Sequence, residues 1–418
     1  MRLAAIVAAL ALAAATAQAA INSPVSEWLL IAQRTVVDNA IEHQQAARLY
    51  GLVGSVQYYA IKAVRNDRKL KGIPEGAAVA YASHSALSHL FYWRQTSTYD
   101  PALSRHLAAF GVSDAQVTAL REALVPYVQK EVVKRVTDGG SLFANFKFAG
   151  NGTENWGKYQ ATPNQTTARY PQVAHAKGYY LSSARIDSIS SAFRRFRLDD
   201  PEYAQQLADV KAAGALNSAT RSPYDTDSIS FWALGTGTGT IAGVWLNISI
   251  SVIPEDTPLI HQARFFKLLG SSFWDAAIAC WRVKYRELFW RPITAIRTPH
   301  GVGESDPTWV PFLSTPAHPE YPSGHQCSSG AAWALLETYL GEDFTFNATS
   351  YGNLAAGART YPSFAAAAKE SGDSRFYAGV HFQKANVDGA QLGYTIAREI
   401  HSKYFGGLTF KDAIKGNL

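Results

Sequence analysis

Three short segments in the last third of the chain carry side chains suited to holding a small oxyanion. They contain, in order, Lys284 with Arg291-Pro292, then Pro322-Ser323-Gly324-His325, then Ser374-Arg375 with His381. Lysine and arginine donate charge-assisted hydrogen bonds to phosphate-like groups, and arginine can donate two in parallel. Histidine can act as a nucleophile, a ligand or a general acid/base. Together these residue types predict a site for a tetrahedral anion.

The spacing in the first segment predicts two cations on one face of a helix. Lys284 and Arg291 are seven residues apart, which is about 700° of helix, or two turns. Trp281 would lie one turn before the lysine on the same side. Pro292 cannot continue the helical hydrogen bonding, so the helix should kink or end there. Taken alone, such a segment is more often a solvated basic face.

The second and third segments add an anion-binding helix end and two further groups. Ser323 stands where a helix N-cap is expected, and Gly324 allows close approach to the backbone. The N–H groups and dipole at such an end attract anions, which His325 would also face. An ordinary cap with a surface histidine is the alternative. Arg375 can make paired hydrogen bonds, and His381 would be a nucleophile or ligand.

The order KxxxxxxRP, PSGH, SRxxxxxH makes the combination far more specific than any one segment. Intervals of 29 residues (between Pro292 and Pro322) and 48 residues (between His325 and Ser374) separate the segments. This pattern resembles the superfamily of vanadium-dependent haloperoxidases and type 2 phosphatidic acid phosphatases. The similarity extends over about residues 185–400 and is strongest to the soluble haloperoxidase branch.

The resemblance implies an all-α fold of helical bundles, with the anion site in the core of the C-terminal bundle. It implies that vanadate or phosphate is held by Lys284, Arg291, Ser323, the N–H of Gly324 and Arg375. The residue matching His381 bonds to vanadium or attacks phosphorus, and the one matching His325 is the general acid/base. One site serves both anions because five-coordinate vanadate mimics the phosphoryl-transfer transition state.

The activity implied is oxidation of a halide by hydrogen peroxide to hypohalous acid, which can then halogenate a small organic substrate. Lys284 is expected to assist the oxidation. His318 stands where bromide-using members carry histidine, so with Trp281 it is assigned to halide preference, and bromide or iodide is favoured. A proline-bounded turn is the alternative for His318. A soluble phosphatase with His381 as nucleophile, and a non-catalytic oxyanion-binding glycoprotein, are the rival functions.

One position departs from the family pattern. An aspartate usually follows the third-segment histidine by four residues and orients its ring, but this chain has Ala385 there. Asp388 lies two helical turns from His381, so another carbonyl or carboxylate must hold the ring. For His325 the supporting group could be Asp225 or Asp227, and spacing selects neither.

The elements that must position these groups are mostly helices. Apolar residues recur at spacings of three and four, with few alternating runs that would indicate strands. Residues 20–136 are expected to form an N-terminal helical region, 137–184 a loop-rich connection, and 185–418 the catalytic helical domain. The predicted helices are 24–65, 76–92, 101–110, 113–136, 201–213, 226–234, 257–291, 324–339, 363–371 and 386–404.

The N-terminus and composition suggest a secreted glycoprotein. Arg2, an apolar run over residues 3–15 and the small residues before Ala20 fit a signal peptide of residues 1–19. Four glycosylation sequons lie at Asn151, Asn164, Asn247 and Asn347. The net charge of +6 is dispersed, so nucleic-acid binding is not expected, and neither is a membrane span. Pairing of Cys280 with Cys327 and association into a homo-oligomer are left open.

Overall fold

A computed structural model describes residues 23–142, 144–150, 152–163, 165, 167–350 and 357–406. The predicted signal peptide and the sequons at Asn151 and Asn164 lie outside the described residues. Within the described ranges no helix combines the length and apolar character that crossing a membrane requires.

The described residues form an all-α fold with one small sheet, which confirms the predicted class. The first seven helices are α1 (Pro24–Asp38), α2 (His43–Asn66), α3 (Glu75–Leu90), α4 (Asp100–Ala109), α5 (Asp114–Val136), α6 (Ser183–Ser190) and α7 (Pro201–Ala213). The next seven are α8 (Pro223–Trp232), α9 (Thr240–Val252), α10 (Leu259–Glu287), α11 (Pro292–Arg297), α12 (Gly324–Leu340), α13 (Phe364–Tyr377) and α14 (Gln383–Ile400). The sheet is the antiparallel pair β1 (Phe346–Thr349) and β2 (Ala358–Tyr361), with Phe346 opposite Tyr361.

Several helices differ from the sequence prediction. The single helix expected over 24–65 is two, because the chain turns after Asn39 with Ala40 at a positive φ of 49°. The predicted helix over 257–291 ends at Glu287, and α13 continues past the predicted end to Tyr377. Helices α6, α9 and α11 were not predicted, since short or uniformly apolar runs do not show helical periodicity clearly.

The long central helix α10 packs most closely against α2, and glycines allow this approach. A Cβ on Gly270 of α10 would lie 2.5 Å from the backbone nitrogen of Gly51 on α2. Any larger side chain at this crossing would force the two helices apart. One continuous core therefore contains both Val25 of α1 and Ile400 of α14. The predicted division at residues 136 and 184 stays a prediction.

A second close crossing, between α12 and α14, positions the second and third sequence segments. A Cβ on Gly393 of α14 would lie 1.9 Å from the carbonyl oxygen of Cys327 on α12. A Cβ on Gly330 would lie equally close, at 1.9 Å, to the carbonyl oxygen of Ala390. The start of α12, with Ser323 as its N-cap, is thereby held against the start of α14, just after His381.

Candidate active site

The first sequence segment does not form one continuous helix, so the prediction that Lys284 and Arg291 share a helix face is wrong. Helix α10 ends at Glu287, followed by Leu288 in the left-handed region with φ 47° and ψ 43°. Arg291 is extended, with φ −82° and ψ 155°, and is the N-cap of α11. The residue before a proline is disfavoured in the helical region, so Pro292 keeps Arg291 out of a helix. The two cations converge through the turn instead.

Lys284 is fully buried on α10 and is held by two backbone carbonyls. Its Nζ donates to the oxygens of Pro319 at 2.8 Å and Glu320 at 3.0 Å. An ammonium group has three donors, so one N–H remains for a ligand. Burial lowers the pKa of Lys284 to about 8, which leaves the group mostly cationic at neutral pH.

Arg291 is also fully buried and its guanidinium links two loops. Its Nε donates to the carbonyl of His318 at 2.9 Å, and its Nη1 donates to the carbonyl of Val380 at 2.7 Å. Nη1 also lies 3.1 Å from Nε2 of His381, and Nη2 lies 3.0 Å from Nδ1 of His318. These contacts use four of its five N–H donors. Burial lowers the pKa of Arg291 to about 10, so it stays charged.

The second segment forms the predicted helix end, but its serine does not cap with its side chain. Ser323 is the N-cap of α12 and makes no side-chain capping bond. Its Oγ is buried without a partner, while its backbone N–H donates to the carbonyl of Ala385 at 2.9 Å. A Cβ on Gly324 would lie 3.2 Å from the ring of Trp281. The glycine therefore leaves a narrow space beside this ring, near the Lys284 side chain.

Arg375 lies in the last turn of α13, where it is buried and its Nε has no partner. Burial lowers its pKa to about 10, and the nearby charge of Arg291 acts in the same direction. Two guanidinium groups at close quarters repel one another. A bound anion between them would remove this cost.

His381 lies in the loop between α13 and α14, and a carboxylate holds its ring. Its Nδ1 is 2.9 Å from Oε1 of Glu320, which also accepts the backbone N–H of Phe382 at 3.0 Å. Nε2 faces Arg291, whose guanidinium can only donate, so Nε2 carries the lone pair and Nδ1 the proton. Burial lowers the pKa of His381 well below its ordinary value, with Arg291 contributing next. The neutral ring thus presents a nucleophilic nitrogen to the cations.

His325 lies in the first turn of α12, and a backbone carbonyl rather than an aspartate supports it. The backbone of Trp232, the last residue of α8, hydrogen-bonds the ring, while Nε2 has no partner. Asp225 instead closes a capping box with Ser222, and Asp227 is exposed. Neither aspartate contacts His325 in the described hydrogen bonds. Burial lowers the pKa of His325 well below its usual value.

His318 lies beside the anion groups rather than in an isolated turn. Its ring is 5.2 Å from that of Trp281, and its Nδ1 is 3.0 Å from Nη2 of Arg291. Burial, followed by Lys284 and Arg291, lowers the pKa of His318 well below its ordinary value. A neutral imidazole therefore forms part of the wall next to the cations.

Several of these groups line one cavity of about 380 Å³. Its lining comes from both ends of the chain and includes His43, Arg169, Tyr170, Trp281, His318, Gly324, His325, Arg375 and His381. His43 lies at the start of α2. Burial lowers its pKa to about 4, and its Nδ1 has no hydrogen-bond partner. Sequence reasoning missed His43 because a single histidine beginning an amphipathic helix carries no motif.

The residues present fit a tetrahedral oxyanion. Arg375 Nε and His325 Nε2, on residues that line the cavity, and Ser323 Oγ, on the residue before the lining Gly324, are buried polar atoms without partners. Lys284 and Arg291 each keep a spare donor, and their two charges exceed that of Glu320, the buried carboxylate beside His381. Buried polar groups are normally satisfied, so an unsatisfied set around a cavity indicates a ligand. An anion accepting several hydrogen bonds supplies what is missing.

Glu320 was missed by the sequence reasoning. It is 1% exposed, and burial raises its pKa to about 7 despite Arg291 nearby. Its position in the sequence could have indicated a role in the site, since this acidic residue stands between Pro319 and Tyr321, three positions before Ser323. No spacing rule connects it with His381, which is 61 residues away.

The two cysteines, whose pairing the sequence leaves open, are both free and buried. Their thiols hydrogen-bond each other, and Cys280 also lies 3.8 Å from the carbonyl of Pro322. Cys280 precedes Lys284 by one turn of α10, and Cys327 follows Ser323 by one turn of α12. The pair therefore packs directly behind the anion groups.

Comparisons with known proteins agree with this geometry. Residues 264–406 match the family described as the VCPO second helical-bundle domain. The chain is 30% identical over 201 residues to vanadium chloroperoxidase of Curvularia inaequalis, covering 40% of this chain and 32% of that protein. The match thus spans about a third of the length of this curated relative.

Solved structures show the same fold over most of the chain. A bacterial vanadium-dependent iodoperoxidase superposes with a TM-score of 0.75 at 22% identity, covering 91% of this chain and 96% of that one. The holo form of a bacterial vanadium-dependent chloroperoxidase superposes with a TM-score of 0.60 at 14% identity, covering 95% and 94%. The match over residues 264–406 and the shared fold confirm the resemblance of the chain to vanadium-dependent haloperoxidases.

Proposed function

We propose that the chain is a vanadium-dependent haloperoxidase that oxidises a halide with hydrogen peroxide to hypohalous acid. The observation that carries the proposal is the set of unsatisfied donors, cations and a lone-pair nitrogen that line one cavity or lie directly beside its lining. The names of the relatives support vanadate as the anion. When bound, vanadate would supply a Lewis-acidic centre that activates peroxide for attack by halide.

In this proposal the residues of the chain have distinct tasks. Lys284, Arg291 and Arg375 bind the anion through their remaining N–H donors, together with Ser323 Oγ. His381 presents Nε2 as the ligand atom. The free Nε2 of His325 exchanges protons with the reacting group, and the carbonyl of Trp232 at the negative end of α8 stabilises the protonated ring.

For the halide we propose bromide or iodide. The support is His318, a neutral and polarisable ring beside Trp281 and Arg291. A halide ion approaching the cavity would meet this wall.

We further propose that the protein is secreted and glycosylated. The sequence of residues 1–19 supports export. Of the two described sequons, Asn347 is exposed, whereas the amide nitrogen of Asn247 is buried, so Asn347 is the better acceptor. Mass spectrometry of the secreted protein tests both points.

A phosphatase is the second candidate, because the same geometry would activate a nucleophile. The Nδ1–H of His381 is held by a carboxylate, and its Nε2 lone pair, 3.1 Å from Arg291 Nη1, could attack a phosphorus atom bound beside it. The non-catalytic alternative was suggested by Ala385, which has no side-chain acceptor for His381. Glu320 supplies that acceptor, so this reason for the alternative no longer applies.

One set of assays on the purified chain separates these functions. Bromination of a phenol indicator is followed with vanadate and peroxide together and with each omitted. Hydrolysis of an aryl phosphate, with and without vanadate, is followed in parallel. We expect bromination that needs both additions. Vanadate-inhibited hydrolysis without bromination would replace the proposal with a phosphatase, and vanadate binding without either activity would replace it with a binding protein.

A further inference from the structure

We propose that Glu320 is the positioning residue for His381, in place of the aspartate that Ala385 replaces; this rests on the proposed function. Its Oε1 accepts both Nδ1–H of His381 and N–H of Phe382, at 2.9 and 3.0 Å. The ring N–H of His381 and the backbone N–H of the next residue share this oxygen, so the orientation of the ring and its tautomer are both fixed. The lone pair of Nε2 is thereby kept on the side of the anion.

Glu320 can do this because its own backbone is anchored at both ends. Its N–H donates to the carbonyl of Phe289 at 2.9 Å, and its carbonyl accepts from Lys284 at 3.0 Å. One residue therefore orients the lysine with its backbone and the histidine with its side chain. A shift of this segment would misplace two anion groups at once.

Aromatic rings pack around the segments that carry this hydrogen bond. The rings of Phe289 and Phe382 lie 5.7 Å apart, and Tyr203 lies 5.9 and 5.7 Å from them. Glu320 and His381 are 1% and 3% exposed at their side chains. In such surroundings a hydrogen bond to a carboxylate is stronger than in water, and no solvent molecule substitutes for it.

The other candidates for this role are committed elsewhere. Ala385 has no acceptor in its side chain, and its carbonyl accepts from Ser323. Asp388 accepts from the hydroxyl of Tyr321 at 2.6 Å and from Lys384 at 2.7 Å. Asp388 is therefore a carboxylate close to the site whose described hydrogen bonds go to other residues than His381, and it can serve as a matched control.

The test compares the affinities for vanadate and phosphate in four variants, Glu320→Ala, Glu320→Gln, Asp388→Asn and His381→Ala. Vanadate bonds to His381 in the proposed function, whereas phosphate in its ground state is held by the cations. Loss of a group that orients a metal ligand typically lowers affinity about 10- to 100-fold. Removing the negative charge of Glu320 should leave phosphate affinity equal or higher.

We expect Glu320→Ala to lower vanadate affinity about 10- to 100-fold without weakening phosphate binding, measured by calorimetry near pH 8. Glu320→Gln keeps an oxygen for both N–H donors, so it should retain most of the vanadate affinity. Asp388→Asn should match the parent protein. A simple collapse of the site would lower both affinities, and equal losses in Glu320→Gln and Glu320→Ala would also overturn the proposal.

A spectroscopic readout is independent of any anion. The buried Nδ1–H of His381 should give a slowly exchanging proton NMR resonance that is absent in His381→Ala. It should persist in Glu320→Gln and disappear in Glu320→Ala. If His381→Ala leaves vanadate affinity unchanged, the proposed function fails. If His381→Ala lowers this affinity and Glu320→Ala leaves it intact, only the role of Glu320 fails.

Discussion

Asp275 and Lys284 are buried charges nine residues apart on α10, about 13 Å along the helix axis. Both oxygens of Asp275 are satisfied, since they accept the backbone N–H groups of Tyr179, Tyr180 and Leu181 at 2.6, 3.0 and 2.9 Å. Around Lys284, by contrast, donors outnumber acceptors and several polar atoms have no partner.

The difference teaches how to tell a structural charge from a binding charge. A buried ion whose hydrogen bonds are complete contributes to folding by fixing one loop, here residues 179–181 against α10. A group of buried ions with surplus donors around a cavity is incomplete without a ligand. Substitutions at the two places should therefore affect different measurements.

The largest effect is expected for His381→Ala, which removes the ring nitrogen proposed as the ligand or nucleophile, Nε2, 3.1 Å from Arg291 Nη1. Bromination should fall by at least about a thousandfold, because ligand or nucleophile removal eliminates the reaction path. Initial rates with vanadate and peroxide measure this. His89→Ala, at an exposed histidine of α3, is the control and should match the parent protein. Unchanged bromination by His381→Ala would refute the site.

Phosphate affinity should fall as pH rises above about 8, the pKa of Lys284. Burial lowers this pKa, so the lysine is protonated below it and loses its charge above it, and only the charged form attracts an anion. Phosphate is already mostly a dianion in this range, so its own charge changes little. Calorimetry should show a decline approaching about tenfold per pH unit. Lys284→Met is expected to bind weakly at every pH, and a flat parent profile would mean that Lys284 stays charged.

Asp275→Asn tests the structural side of the comparison. The amide nitrogen would face backbone N–H donors, so the free energy of unfolding should fall by about 1–3 kcal/mol at pH 7. Urea unfolding monitored by circular dichroism measures it. Phosphate affinity should stay within about twofold of the parent value, because Asp275 contacts no anion group. A large affinity loss would show that the two regions are coupled.

Ser323→Ala should give the smallest effect. Its Oγ makes no hydrogen bond in the protein, so removal should not destabilise the fold. Loss of one hydrogen bond to the anion costs about 1 kcal/mol, or about fivefold in vanadate affinity. Calorimetry gives the affinity and thermal unfolding gives the stability. A lower unfolding temperature would indicate that the hydroxyl has a structural role after all.

The sequence predicted the helical class and the convergence of the cationic and imidazole groups; in the described structure Arg375, His325 and His381 line one cavity, and Lys284 and Arg291 lie next to its lining residues. It predicted the helix start after Ser323 from a serine and a glycine before an apolar run, although the Ser323 hydroxyl makes no capping hydrogen bond. It misplaced Arg291 on a helix, since the left-handed turn at Leu288 has no glycine or asparagine to announce it.

The partners of the two histidines were beyond sequence reasoning. Asp225 and Asp227 were considered as partners of His325, yet its ring is hydrogen-bonded to the backbone carbonyl of Trp232. Every residue has a backbone carbonyl, so the sequence does not single one out. Glu320 reaches His381 only because the turn before α12 packs on the loop before α14.

The sequence by itself determined which charged and imidazole groups are available and which local elements carry them, because residue type and short-range periodicity act over one or two helical turns. The tertiary structure decided which of these charges are satisfied and which are left for a ligand. That distinction depends on contacts between segments tens of residues apart, and these form only when the glycine crossings bring α2, α10, α12 and α14 together.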